Sequence, residues 1–133
     1  MLVHSTLTKP NVDKDRRGFS TYIGDKYGYE AEEAEAAPRH CADILQFLSI
    51  RLEQQRTKGS RFFIGTQLSA LDIYWAAFAA LVQPLPHEQC PMPAPFRTMY
   101  TNTDPTIQAA AKPILFEHRD FIYRTYLELP VDL

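Results

Sequence analysis

An all-α fold, a bundle of four or more helices, is what this sequence predicts, and three observations carry it. Apolar residues recur at three- and four-residue spacing along most of the chain. No segment alternates apolar and polar residues as a half-buried strand does; RFFIG is too short and reads as a link into the next helix. One helix start carries two independent boundary signals at once. From Asp13 to Tyr27 the positions Phe19, Tyr22, Ile23 and Tyr27 share a helical face, although Gly18 and Gly24 weaken the helix by about 1 kcal/mol each relative to alanine.

The next helix is predicted from Pro38 to Lys58. Cys41, Ile44, Leu45, Leu48 and Leu52 form its apolar stripe, with proline acceptable in the first turn and Gly59 just past the end. The third begins at Ser69. In LSALDI the Ser69 hydroxyl is placed to accept from the Asp72 N–H while the Asp72 carboxylate reaches back to the Ser69 N–H, a capping box, and Leu68 and Ile73 are spaced as a hydrophobic staple. The helix that follows is apolar around its circumference, so it is expected at the centre of the fold. Pro84, Pro86, Pro91, Pro93 and Pro95 then make a rigid connector. After a short turn around Arg97 to Tyr100, Asp104 and Pro105 mark a capped helical turn. Pro113 restarts the chain, and Ile114 to Glu128 form a last helix with Leu115, His118, Ile122 and Tyr126 on one face.

Composition narrows the function. The 133 residues suffice for one core, and a single domain over residues 13–133, preceded by a tail, is expected. Fourteen basic against 16 acidic residues leave a net charge of −2, so no basic field invites a nucleic-acid backbone. The longest apolar run, Ile73 to Val82, is about half of what spans a bilayer, so no membrane partner is expected. Two cysteines, Cys41 and Cys90, and an N-terminus without the pattern of a signal peptide point to a reducing compartment, read as cytoplasmic.

The stretch RFFIGTQLSALDIYWAAFAAL resembles the junction before the central helix of the C-terminal, all-helical domain of glutathione S-transferases. Phe62, Phe63, Gly65, Leu68, Ser69 and Asp72 occupy the pattern's places. The order of helices on either side is similar too. The thioredoxin-like domain that binds glutathione in that family, and carries its catalytic residue, has no counterpart here, since residues 1–12 are too few for a βαβ unit. The resemblance therefore implies a co-substrate-binding domain that does not conjugate glutathione alone, or a non-catalytic interaction or carrier module on the same fold. It implies that Phe19, Tyr22, Ile23 and Tyr27 line a pocket for a small apolar ligand, with Arg97 and Tyr100 in polar contact. Glutathione enters only as a co-substrate, and only with a thioredoxin-like domain. Without that domain the aromatic face of the first helix lacks cover, so a two-fold homodimer is expected.

Other chemistry is weak. Asp72 is explained by capping. His118-Arg119-Asp120 spells the start of a kinase catalytic loop, but Thr125 stands where asparagine is needed and no glycine-rich loop occurs. His118 is expected as a packed core histidine, with Arg119 and Asp120 solvated. His87 and Cys90 have a metal-like spacing without a second pair, so no metal site is assigned. Cys41 is expected to be inert on the inner stripe of its helix. No residue is assigned a catalytic role.

Overall fold

A computed structural model describes the backbone of residues 14–131 and the side chains of residues 18–131, so the expected tail at 1–12 lies outside the described residues. The architecture is helical, with no strand among the described residues. Among the described residues six α-helices follow in order: α1 (Lys14–Tyr27), α2 (Ala31–Thr57), α3 (Ala70–Phe78), α4 (Ala94–Tyr100), α5 (Pro105–Ala110) and α6 (Pro113–Tyr126), with a 3₁₀ turn, Ala79–Leu81, after α3. The chain divides into two compact units, Met1–His40 and Cys41–Leu133, with the boundary inside α2.

In the first unit, Ser20 and Gly24 are the buried residues among the described side chains of α1. Phe19, Tyr22 and Tyr27 are exposed, and Ile23 is half-buried. The aromatic stripe is therefore not core. Lys26 Nζ lies 5.9 Å and 5.3 Å from the ring centres of Tyr22 and Tyr27, a cation–π arrangement open to water.

α2 begins seven residues before the expected start, and Pro38 lies inside it rather than in its first turn. The pyrrolidine ring forfeits the hydrogen bond to the Ala34 carbonyl. The segment AEEAEAA offsets this, because alanine and glutamate are among the best helix formers and Glu32 and Glu33 favour the positive end of the helix dipole. It has no apolar face, so periodicity passed it over.

Within Cys41–Leu133, α2 buries Leu45, Leu48 and Leu52 together with Ser49 and Gln55. Cys41 and Ile44 are exposed, contrary to the expected stripe: the buried face turns away from both. Gly59 ends the helix as expected. At φ +77°, which an L side chain rarely adopts, it lets Ser60 N–H reach the Gln55 carbonyl and its own N–H the Arg56 carbonyl, closing a Schellman motif.

The link from α2 to α3 is pinned to α2 by side chains. Arg51 Nε donates to the Phe63 carbonyl at 2.8 Å, and Gln55 Nε2 donates to the carbonyls of Phe62 and Gly65. Phe63 is thereby driven into the core, where it joins Leu45, Leu48, Leu52, Trp75, Ala79, Ile107 and Leu115. α3 packs chiefly on α6, and Trp75 Nε1–H donates to the Leu115 carbonyl at 2.9 Å.

α3 is not covered all round. Asp72, Trp75 and Ala76 are buried, while Tyr74 and Phe78 on the opposite side are exposed, as is Leu68, the expected staple residue. α5 and α6 start where the sequence places them, whereas α4 begins at Ala94 and takes Pro95, expected in the connector, into its first turn, where a proline costs no intrahelical bond. Asp104 Oδ1 accepts from the N–H groups of Thr106 and Ile107, and Pro105 and Pro113 open α5 and α6.

Candidate functional site

Two constellations in the unit Cys41–Leu133 bear on function: a buried polar cluster and an apolar groove. The cluster centres on Asp72, whose side chain is completely buried at the start of α3. Oδ2 accepts from the Ser69 N–H at 2.8 Å and from the Ser69 hydroxyl, and Oδ1 accepts from the Phe63 N–H at 2.9 Å. The capping box is thus present, with one difference: the Asp72 N–H bonds the Ser69 carbonyl, at 3.1 Å, and the hydroxyl's hydrogen goes to the carboxylate.

The fourth donor to Asp72 comes from α6. His118 Nε2 lies 2.9 Å from Oδ1. A carboxylate has no hydrogen to give, so Nε2 carries the proton and Nδ1 presents a lone pair. Nδ1 is buried and has no hydrogen-bond partner among the described residues. Burial lowers the pKa of His118 below its usual 6.5; the nearby Asp72 charge and hydrogen bond oppose this, while Arg56 and Arg61 add to it. The ring is therefore neutral at pH 7, packed against Phe63 with centroids 4.5 Å apart. The expected core histidine is present.

Arg119, expected in solvent, is buried. Its Nε donates to Asp120 and its Nη1 to the Gln83 carbonyl, both within 2.9 Å. An arginine can enter an interior when its fork is met by acceptors, which sequence spacing does not reveal.

The apolar groove encloses about 650 Å³. Phe78 and Leu81 come from α3 and the 3₁₀ turn, Leu85 and Met92 from the proline connector, Phe96 and Tyr100 from α4, and Tyr123 from α6. Its frame is made by proline and arginine. The connector's prolines fix φ but leave carbonyls without intrahelical partners. Arg97 Nη1 donates to the Leu85 carbonyl and Nη2 to the Cys90 carbonyl, each at 2.9 Å, so one guanidinium clamps both ends of the loop. Val131 N–H bonds the Gln89 carbonyl at 2.8 Å, bringing the chain's end to the same loop. The Tyr123 phenol is pushed above its usual 10 by burial and, secondarily, by Cys90.

Of the residues expected in a ligand pocket, Tyr100 lines this groove, and Arg97 braces its loop with both terminal nitrogens engaged. Phe19, Tyr22, Ile23 and Tyr27 belong to the unit Met1–His40, and the groove is lined without them. Leu85, Met92 and Tyr123 were not singled out from sequence. The available signal was the alternation of proline with apolar residues in PLP and PMPAPF. Cys90 is buried and His87 exposed, and among the described residues no three His, Cys, Asp or Glu side chains converge as metal ligands. No helix among the described residues is long and apolar enough to cross a membrane. No protein-family model, curated protein or solved structure matches this chain.

Proposed function

We propose that this chain holds an apolar small molecule in the groove between α3, the proline connector, α4 and α6, as the co-substrate-binding helical domain of a glutathione S-transferase-like protein would. The groove carries this reading: about 650 Å³ lies within the roughly 300–1,000 Å³ typical of small-molecule sites, and its walls are almost entirely hydrocarbon. Every lining residue falls between 77 and 131, so the same groove also supports a carrier role without a second domain. Conjugation of glutathione is a separate matter, because it needs a group that holds a thiolate at neutral pH. No such activated donor is assigned in this chain, and the isolated polypeptide is expected to leave the rate of conjugation at its uncatalysed value.

Titration with the uncharged fluorophore N-phenyl-1-naphthylamine tests the reading. Saturable one-to-one enhancement is expected, lost in Leu81→Arg and Phe78→Glu, which place charge at exposed rim positions without emptying the core. Unchanged binding in both variants would remove the groove as the site.

A further inference from the structure

A second concavity, of about 350 Å³, has the opposite character. Arg56 from α2, Arg61 from the link and Arg124 from α6 line it, together with the buried His118. Two carboxylates also face it, but each is engaged: Glu117 accepts from Arg56 Nη2 at 2.8 Å, and Asp120 accepts from Arg119 Nε at 2.8 Å. Arg61 and Arg124 have no carboxylate partner among the described residues. Arg61 Cζ instead lies 3.6 Å from the centre of the Phe121 ring, a cation–π contact that uses none of the N–H groups as hydrogen-bond donors to a carboxylate.

The residues that line the pocket therefore have two kinds of unmet hydrogen-bonding capacity. The guanidiniums need acceptors, while His118, 97% buried and tied to Asp72 through Nε2, needs a donor at Nδ1. A carboxylate ligand would meet the first need only. A phosphate group meets both, because the second pKa of a phosphomonoester is near 6, and that of inorganic phosphate about a unit higher, so it carries an O–H close to neutrality. We propose that this pocket binds a phosphate group, free or on a small phosphomonoester, through Arg61 and Arg124 with Arg56 at the edge, one proton being shared between the phosphate and His118 Nδ1.

The electrostatics agree with that arrangement. Besides burial, Arg56 and Arg61 disfavour a proton on His118, and an anion placed between them and the ring would cancel that effect while Asp72 continues to favour the proton. Whether the hydrogen rests on phosphate oxygen or on Nδ1, the complex holds one proton that neither free partner holds well above the second pKa of the phosphate. Affinity should therefore fall as pH rises through that value and close to tenfold per unit above it, about a unit earlier for the ester than for inorganic phosphate. Sulfate has the same shape but no proton to share in this range.

Calorimetric titration of the full chain with inorganic phosphate, phenyl phosphate and phenyl sulfate at pH 6, 7 and 8 is the test. The expected result is saturable phosphate binding that weakens with pH, a loss of about tenfold or more in Arg61→Gln and Arg124→Gln, and weaker binding of phenyl sulfate at pH 6. The tighter of the two phosphates identifies the source. Both arginines are exposed, so these variants should fold. No saturable binding, binding that survives both substitutions, or a pH-independent affinity shared with sulfate would overturn the proposal.

Discussion

His118 Nε2 lies 2.9 Å from Asp72 Oδ1, and both side chains are shut off from solvent. This contact joins the first turn of α3 to the middle of α6 across 46 positions of sequence. It turns a local helix cap into a tertiary junction, because the same carboxylate also holds the Ser69 end of the helix and the Phe63 end of the link.

Asp72→Ala should therefore cost far more than a lost cap. It would strand the buried Phe63 N–H and His118 Nε2–H, each unsatisfied donor costing about 1–3 kcal/mol, for a total of about 2–6 kcal/mol beyond the cap. Ser69→Ala keeps the Ser69 N–H bond to Asp72 and should cost about 1 kcal/mol. Urea denaturation at constant m value distinguishes them. Equal losses in the two variants would mean that Asp72 acts as a cap only.

Stability should fall on mild acidification through His118. Its folded pKa is depressed by burial, so below the unfolded value of 6.5 the unfolded chain takes up a proton that the folded chain resists. The contribution is complete above pH 6.5 and is lost as pH falls below it. His118→Gln, which can keep an Nε2–H toward Asp72 but does not titrate, should flatten the dependence of the urea midpoint between pH 7.5 and 5.5. A variant as pH-sensitive as the parent would assign the effect elsewhere.

Arg97 should behave as scaffold. Lysine in its place keeps the charge but cannot bridge the Leu85 and Cys90 carbonyls with a planar fork. Limited proteolysis of Arg97→Lys should show faster cleavage between Pro84 and Pro93, and denaturation should show a loss of about 1–3 kcal/mol. Resistance equal to the parent's would return Arg97 to the role of a ligand contact.

What could be read from sequence was what lies close along the chain. Ser69 and Asp72 stand three residues apart, Asp104 and Pro105 adjoin, and Gly59 follows its helix directly, so each announces its own geometry. The Asp72–His118 contact has no such signature, and His118 was legible only as an inward-facing histidine. The start of α2 was hidden because AEEAEAA forms helix by propensity without an apolar stripe, and Pro38 drew the boundary inward. For the α1 aromatics, helical spacing identifies a face but does not say what covers it, and Phe19, Tyr22 and Tyr27 are exposed. The groove walls come from a proline connector and three helices, and no single period links such residues.

The last prediction uses Tyr123 as a reporter of that groove. Its phenol is pushed above its usual 10 because burial penalises the phenolate and the neighbouring Cys90 adds to the effect, with Arg119 pulling the other way. A raised folded pKa means that the neutral phenol contributes stability below pH 10, lost as pH rises through the folded value. Tyr123 lines the groove, so an apolar occupant would exclude more water from the phenol and raise the pKa further. Absorbance at about 295 nm, subtracted between the parent and Tyr123→Phe, isolates this one ionisation. The difference titration should have its midpoint above that of free tyrosine, about 10, and should move upward when the groove is filled with an uncharged apolar ligand. A midpoint unmoved by saturating ligand would mean that the ligand sits elsewhere, even if binding itself is tight.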